Sequence, residues 1–207
     1  MKMKNFTLTA IFVSIILLAA FTPFGFIHLG VIKATIIHIP VIVAAIILGP
    51  KIGSFLGLIF GLTSIVINTI SPTLLSFAFS PAIPVLGTSN GSMWAIFVAI
   101  VPRVILGFIP YYIFKAIYKS DTQKKLKQKT SLFITGLLTT FIHTFLVMGS
   151  ISLIFNEAYA QAINAESTTA IIVAVLTVFF TNGLAEAVLA GIVTTAVVPP
   201  LLKTVNK

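Results

Sequence analysis

The sequence predicts an all-α integral membrane protein with six transmembrane helices and with both termini on the cytoplasmic side. Apolar residues make up 58% of the 207 residues and charged residues only 8%, whereas soluble domains carry about a quarter charged residues. Six apolar segments follow one another along the chain, and the lysines collect on one side of them. We expect a single membrane-embedded domain covering residues 1–207.

The six predicted spans are set by length, because a bilayer core of about 30 Å needs about 20 apolar residues in a helix. We place them at residues 6–21, 33–48, 52–70, 92–118, 130–155 and 168–202. Residues 71–91 predict a structured loop, 119–129 a solvated loop and 156–167 a polar loop. The first run could be a signal peptide, but it ends in Thr22-Pro23-Phe24-Gly25 without a cleavage pattern, so we interpret it as a retained helix.

The orientation follows from the lysines, which concentrate in cytoplasmic loops. With six spans and an inner N-terminus, eleven of the twelve lysines face the cytoplasm and only Lys33 lies outside. This placement accounts for the formal net charge of +9 without a nucleic-acid partner. We therefore expect lipid, and no nucleic acid, around the protein.

Small residues recur every four positions on three segments. Gly49, Gly53, Gly57 and Gly61 form one stripe, Gly183, Ala187, Gly191 and Thr195 a second, and Ala10 and Ser14 a single pair. Such stripes allow close approach of another helix. Packing within the bundle and contact with a partner subunit are both compatible with them.

Five ionisable or amide side chains share one predicted depth, one on each of segments two to six. At 1.5 Å per residue they lie roughly 20–25 Å from the cytoplasmic lysines. These residues are His38, Asn68, Arg103, His143 and Glu186. Ionisable groups within a membrane are costly and mark functional sites. The sequence therefore predicts a polar chamber that opens outward.

Several of these side chains have two interpretations. Arg103, the single arginine, suits an anionic ligand through its planar fork, or it pairs internally with Glu186. His143 and His38 either pack between helices or contact the ligand, and Thr144 and Asn182 lie close enough in sequence to add hydrogen bonds. Trp94 either anchors the membrane interface or stacks on a ligand.

The sequence contains no motif that predicts catalysis, a cofactor or a metal site. Cysteine is absent, which excludes a thiolate nucleophile. Residues 87–91 match G-x-S-x-G, but that motif works on a strand-to-helix elbow, and here a helix N-cap at Ser89 or Asn90 is the better interpretation. No ATPase module fits beside the helices, so we expect the energy source on another chain.

Three local stretches stand out: Ile39-Pro40, Ile47-Leu48-Gly49-Pro50-Lys51 with the following glycines, and Pro102-Arg103-Val104-Ile105-Leu106-Gly107. In these stretches the chain resembles the substrate-binding (S) components of energy-coupling factor (ECF) vitamin transporters, and the resemblance covers nearly the whole chain. The chain is most similar to the pantothenate type. The stretches that indicate this type are Thr22-Pro23-Phe24-Gly25-Phe26-Ile27, His38-Ile39-Pro40, Phe79-Ser80-Pro81, and Thr181-Asn182-Gly183 with Glu186.

The resemblance implies a non-enzymatic vitamin-capture subunit in a bacterial cell membrane, working with a transmembrane T subunit and two cytoplasmic ATPases. It implies that Ala10 and Ser14 contact the T subunit, with serine where the family usually has a second alanine. It also implies a pocket formed by the outer loops and the outer halves of the fourth, fifth and sixth helices. Pantothenate carries a carboxylate, an amide and two hydroxyls, which suit arginine, asparagine and histidine. A different vitamin, or a stand-alone channel or carrier, remains the alternative.

Overall fold

The computed structural model describes residues 3–22, 26–29, 32–118 and 124–205, and it is a helical bundle with one short hairpin. The helices are α1 (Met3–Phe21), α2 (His38–Leu48), α3 (Pro50–Ile70), α4 (Trp94–Tyr118), α5 (Lys124–Ile154), α6 (Asn156–Ala162), α7 (Thr168–Val178) and α8 (Leu184–Val205). Strands β1 (Phe26–Leu29) and β2 (Ile32–Thr35) pair antiparallel. A 3₁₀ turn, Ser76–Ala78, lies between α3 and α4, and a π-helical segment, Phe179–Gly183, joins α7 to α8.

Five helical segments of the described chain are long and apolar enough to cross a membrane. They are Met3–Phe21, Pro50–Ile70, Trp94–Tyr118, Lys127–Ile154 and Thr168–Thr204. The predicted second span does not begin at Lys33, because that residue lies on β2 and the helix starts only at His38. The 11 residues of α2 rise about 16 Å, which is too short to span a bilayer alone. The number of six spans therefore stays a prediction.

Two predicted loops contain helix instead. The polar segment 156–167 includes α6, and α5 begins at Lys124, inside the stretch predicted to be a solvated loop. Residues 119–123 and the predicted break at 23–25 lie outside the described residues. The described ends of the chain lie together, because Nζ of Lys4 on α1 donates to the carbonyl of Thr204 on α8. Which side of the membrane they face stays a prediction.

The turn between α2 and α3 depends on Gly49 and Pro50. Gly49 has a φ of 91°, a conformation that side chains with a Cβ rarely adopt. Pro50 occupies the first turn of α3, where its fixed φ suits the helix and its missing N–H needs no partner. The resulting tight connection holds α2 in the interior, where Val41, Ile42 and Ala44 are fully enclosed.

The glycine stripe of α3 packs against α4. A Cβ at Gly53 would lie 2.1 Å from the carbonyl oxygen of Gly107, and one at Gly57 would lie 2.1 Å from that of Arg103. Glycine is therefore required for the two backbones to approach this closely. The contact fixes the position of Arg103 relative to α3. The second stripe packs in the same way, since Gly136 of α5 faces Ala190 and Gly191 of α8.

The buried apolar residues form two separate clusters. The first joins α1, α2 and the parts of α3, α4, α5 and α8 that include Leu56, Leu106 and Leu132. The second joins the 3₁₀ turn, the start of α4, the end of α5, α6 and α7, and includes Val98 and Met148. Along α4 and α5 the two clusters are separated by Arg103 and His143. The polar side chains thus occupy the layer between two apolar cores.

Candidate functional site

A cavity of about 220 Å³ lies in this polar layer. We call it the α5–α8 cavity. Its polar lining comes from five parts of the chain and consists of His38, Arg103, His143, Thr144, Asn182 and Glu186. Phe60, Val147, Met148 and Val178 supply apolar walls. The structure therefore brings together four of the five side chains that the depth count predicted, and also Thr144 and Asn182.

Arg103 occupies the centre of the layer and is only 7% exposed. Its Nη1 donates to the carbonyl oxygen of Val98 at 2.7 Å. That carbonyl would normally accept from the residue four positions on, which is Pro102 and has no N–H. Pro102 thus leaves the Val98 carbonyl without a backbone donor, and the side chain of Arg103 donates to it instead.

The remaining edge of the Arg103 guanidinium is available to a ligand. Nε is buried and has no hydrogen-bond partner. The guanidinium carbon lies 4.9 Å from the centroid of the Phe79 ring and 5.6 Å from that of Phe60. Arg103 and Glu186 both line the cavity, and an ion pair between them stays a prediction. A buried cation with an unused donor favours an anion beside it.

His143 lies beside Arg103. Its ring stacks on that of His38, with centroids 6.2 Å apart and an interplanar angle of 16°, and tilts against Phe60 at 6.3 Å. Nε2 of His143 is buried without a hydrogen-bond partner. A buried polar atom of this kind normally requires one. His143 can therefore donate to or accept from a ligand in the cavity.

Asn182 reaches the cavity through the π-helical segment. This segment interrupts the long helix from Thr168 to Val205, and Thr181 within it donates to the carbonyl of Thr177 at 2.6 Å. Gly183 packs against Thr144 of α5, since a Cβ there would lie 3.3 Å from the Thr144 methyl group. π-Helical turns are frequent at functional sites because they change the phase of the residues that follow. Strand β2 packs beside this segment and the start of α8.

A second cavity, of about 240 Å³, adjoins the first. We call it the α1–α3 cavity. Ala20 of α1, Thr63, Ser64 and Asn68 of α3 and Phe79 line it, and it shares Arg103 and Phe60 with the α5–α8 cavity. Asn68 lines this second cavity and not the first. Its Oδ1 accepts from Ser76 at 2.7 Å and its Nδ2 donates to the carbonyl of Ser64 at 2.8 Å, so it also ties the 3₁₀ turn to α3.

Three predicted contact residues lie away from both cavities. Trp94 is 60% exposed and packs edge-on against Phe97. Ala10 and Ser14 lie on an exposed face of α1, where Ser14 donates to the carbonyl of Ala10 at 3.0 Å. Both positions are exposed, and their contact with a T subunit stays a prediction.

Two aromatic residues of the site were not predicted from the sequence. Phe60 separates the two cavities and contacts both Arg103 and His143. Phe60 lies three positions after Gly57 and one before Gly61, so it shares the helix face of the glycine stripe. This spacing indicates that Phe60 faces α4. Phe79 belongs to the loop after α3, and no local pattern indicates that it reaches Arg103.

The G-x-S-x-G stretch at residues 87–91 lies in the irregular segment before α4. Ser89 lies in an exposed turn far from any strand, without the elbow that a hydrolase nucleophile needs. Among the described residues no cluster of three or more histidine, aspartate or glutamate side chains could hold a metal ion. The long apolar helices around these polar cavities define a multi-pass cell-membrane protein.

Comparison with known proteins identifies the family. The family model described as "ECF transporter, substrate-specific component" matches residues 4–198. The chain is also 36% identical over 207 residues to the "Pantothenic acid transporter PanT" of Lactococcus lactis subsp. cremoris (strain MG1363), covering 99% of this chain and 97% of the relative. The chain therefore belongs to the family of ECF transporter substrate-specific components.

Proposed function

We propose that this protein captures pantothenate at high affinity and delivers it to a T subunit and two cytoplasmic ATPases that drive uptake. The observation that carries the proposal is the likeness over nearly the whole length to a relative named as a pantothenic acid transporter. In this proposal the protein has no catalytic site of its own, and ATP hydrolysis belongs to the partner subunits.

The chemistry of the two cavities supports pantothenate as the ligand. Pantothenate presents one carboxylate, an amide and two hydroxyls. Arg103 offers a buried guanidinium with unused donors, and His143, Asn182 and Glu186 offer donors and acceptors for hydroxyl and amide groups. Phe60, Val147 and Met148 provide apolar walls for the carbon skeleton. Thr144 extends the polar surface of the same cavity, and Asn68 that of the adjoining one.

A binding assay on the purified chain tests the substrate. Radiolabelled pantothenate should bind the protein in lipid nanodiscs, and Arg103→Gln should weaken binding by more than tenfold, because hydrogen bonds to a charged group contribute about 1.5–3 kcal/mol. Lys115→Gln is a matched control, since it removes a positive charge from the exposed end of α4. Binding of another vitamin in place of pantothenate would reject the substrate assignment.

A transport assay tests the partnership. Vesicles that contain this chain alone should show no pantothenate uptake, whereas vesicles that also contain the T subunit and both ATPases should accumulate it with ATP. Uptake by the chain alone would instead support the stand-alone channel or carrier.

A further inference from the structure

A third concavity lies on the outer surface of the bundle, near the lysine-bearing ends of α5 and α8. It measures about 530 Å³, and we call it the lysine groove. Its lining residues are Lys129, Thr130, Phe133, Ile192, Thr195 and Ala196. None of these residues lines either polar cavity. The lysine groove is therefore separate from the site described above.

The two helices are fixed against each other along the lysine groove. The hydroxyl of Thr195 on α8 is shared between the carbonyl oxygens of Gly191 at 2.7 Å and of Lys129 on α5 at 3.3 Å. About one turn deeper, the ring of Phe133 covers Gly191, where a Cβ would lie 2.8 Å from the ring. The position of Lys129 relative to α8 is therefore set by the fold.

The lining of the lysine groove is apolar towards the interior of the helices and positively charged towards their ends. Ile192 is 54% exposed, and Ala196 is exposed as well. Lys203 lies seven positions after Ala196, on the same face of α8. Lys129 is exposed on the α5 side, and a lysine stem can lie along apolar surface while its ammonium reaches water. A molecule with an anionic head and an apolar tail matches this order.

The described charges around this end of α5 and α8 are positive. Lys127, Lys129 and Lys203 are exposed here, and the candidate membrane span of α5 begins at Lys127. Glu157 and Glu166 lie beyond the opposite end of α5. Basic pockets between membrane helices bind the head groups of anionic lipids. The charge and the depth of the lysine groove therefore favour a lipid over a dissolved solute.

We propose that the lysine groove binds one anionic phospholipid of the surrounding membrane. The phosphate lies against Lys129, and an acyl chain runs over Phe133, Ile192 and Ala196 towards the middle of the bilayer. The lipid contacts both helices and stabilises their packing, because a ligand that binds only the folded state raises its stability. This inference does not depend on which solute occupies the polar cavities.

Lipid titrations of the purified chain, followed by native mass spectrometry, test the head-group contact. The probes are phosphatidylglycerol and phosphatidylcholine with the same acyl chains, since they differ in net charge. Phosphatidylglycerol should form a one-to-one complex at lower concentration. Lys129→Gln should weaken this complex about fivefold and leave phosphatidylcholine unaffected. Lys115→Gln is the matched control, because it removes an exposed positive charge near the end of α4 and outside the lysine groove.

A second variant tests the apolar wall. Ala196→Trp fills the lysine groove from an exposed position, so it should abolish the one-to-one complex while the lipid-free protein keeps the unfolding midpoint of the wild type. Glycerol phosphate has the anionic group without acyl chains, and it should not displace the lipid. Saturating phosphatidylglycerol should raise the unfolding midpoint of the wild type more than that of Lys129→Gln.

Four outcomes would overturn the proposal. Equal losses in Lys129→Gln and Lys115→Gln would show that the lipid is attracted by the whole basic surface. Equal binding of the two lipids would exclude an anion site, and displacement by glycerol phosphate would assign the lysine groove to a free phosphate compound. A protein dimer that Ala196→Trp dissociates would assign it to a second copy of this chain.

Discussion

Replacing Gly57 by alanine should destabilise the protein by separating α3 from α4. The added Cβ would lie 2.1 Å from the carbonyl oxygen of Arg103 and 2.8 Å from its carbonyl carbon. Because non-bonded heavy atoms prefer about 3.5 Å, the helices must move apart by about 1.4 Å. Both clashing atoms are backbone, so no side-chain rotation relieves them. Overpacking costs about 1–3 kcal/mol, and the better helix propensity of alanine offsets at most about 1 kcal/mol.

The net loss should be about 1 kcal/mol, measured as a lower midpoint of thermal unfolding in detergent micelles. Gly149→Ala is the matched control, because no atom lies within 4 Å of a Cβ at that position of α5. It should leave the midpoint unchanged or raise it. The displaced Arg103 should also weaken pantothenate binding in Gly57→Ala. Equal midpoints for the two variants would refute the argument that this glycine fixes the helix contact.

Three further predictions concern other parts of the molecule. Arg103→Lys keeps the charge but loses the planar fork, so pantothenate affinity in calorimetry should fall at least about tenfold; unchanged affinity would exclude an edge-on contact. Leucine at Ala10 and Ser14 should leave ligand binding intact while abolishing ATP-driven uptake with the partner subunits; normal uptake would place the interface elsewhere. Burial raises the pKa of Tyr159 above 10.0. Above about pH 10 the unfolded chain therefore releases the phenolic proton while the folded protein keeps it. The stability that Tyr159 contributes is present below this pH and is lost as the pH rises further. Tyr159→Phe should match the wild type in unfolding midpoint near pH 8 and exceed it near pH 11, and parallel curves would contradict this.

The grouping of polar side chains around one cavity was predictable because a helix advances by a constant rise. Counting from the lysines put Arg103, His143 and Glu186 at one level, and they line one cavity. Depth alone does not say which way a side chain faces, however. Asn68 was predicted at the same height but lines the neighbouring cavity, because rotation about the helix axis is set by the packing of α3 on α4.

Features that depend on tertiary contacts could not be predicted. Phe79 approaches Arg103 only because the loop after α3 folds over α4. The π-helical segment at Phe179–Gly183 changes the phase of the last helix, and no local pattern in the sequence predicts it. The late start of α2 at His38 was missed because the apolar run 31–37 suits a strand as well as a helix.

The bond between Arg103 and Val98 has a consequence for the thermodynamics of ligand capture. Arginine is among the side chains with most rotamer freedom, and immobilising such a side chain on binding costs roughly 0.5–1.5 kcal/mol. Because Pro102 leaves a backbone acceptor for Nη1, the side chain is ordered before any ligand arrives. The rotamer entropy of Arg103 is therefore lost when the protein folds and not when the ligand binds. The free energy of binding an anion is not reduced by this cost.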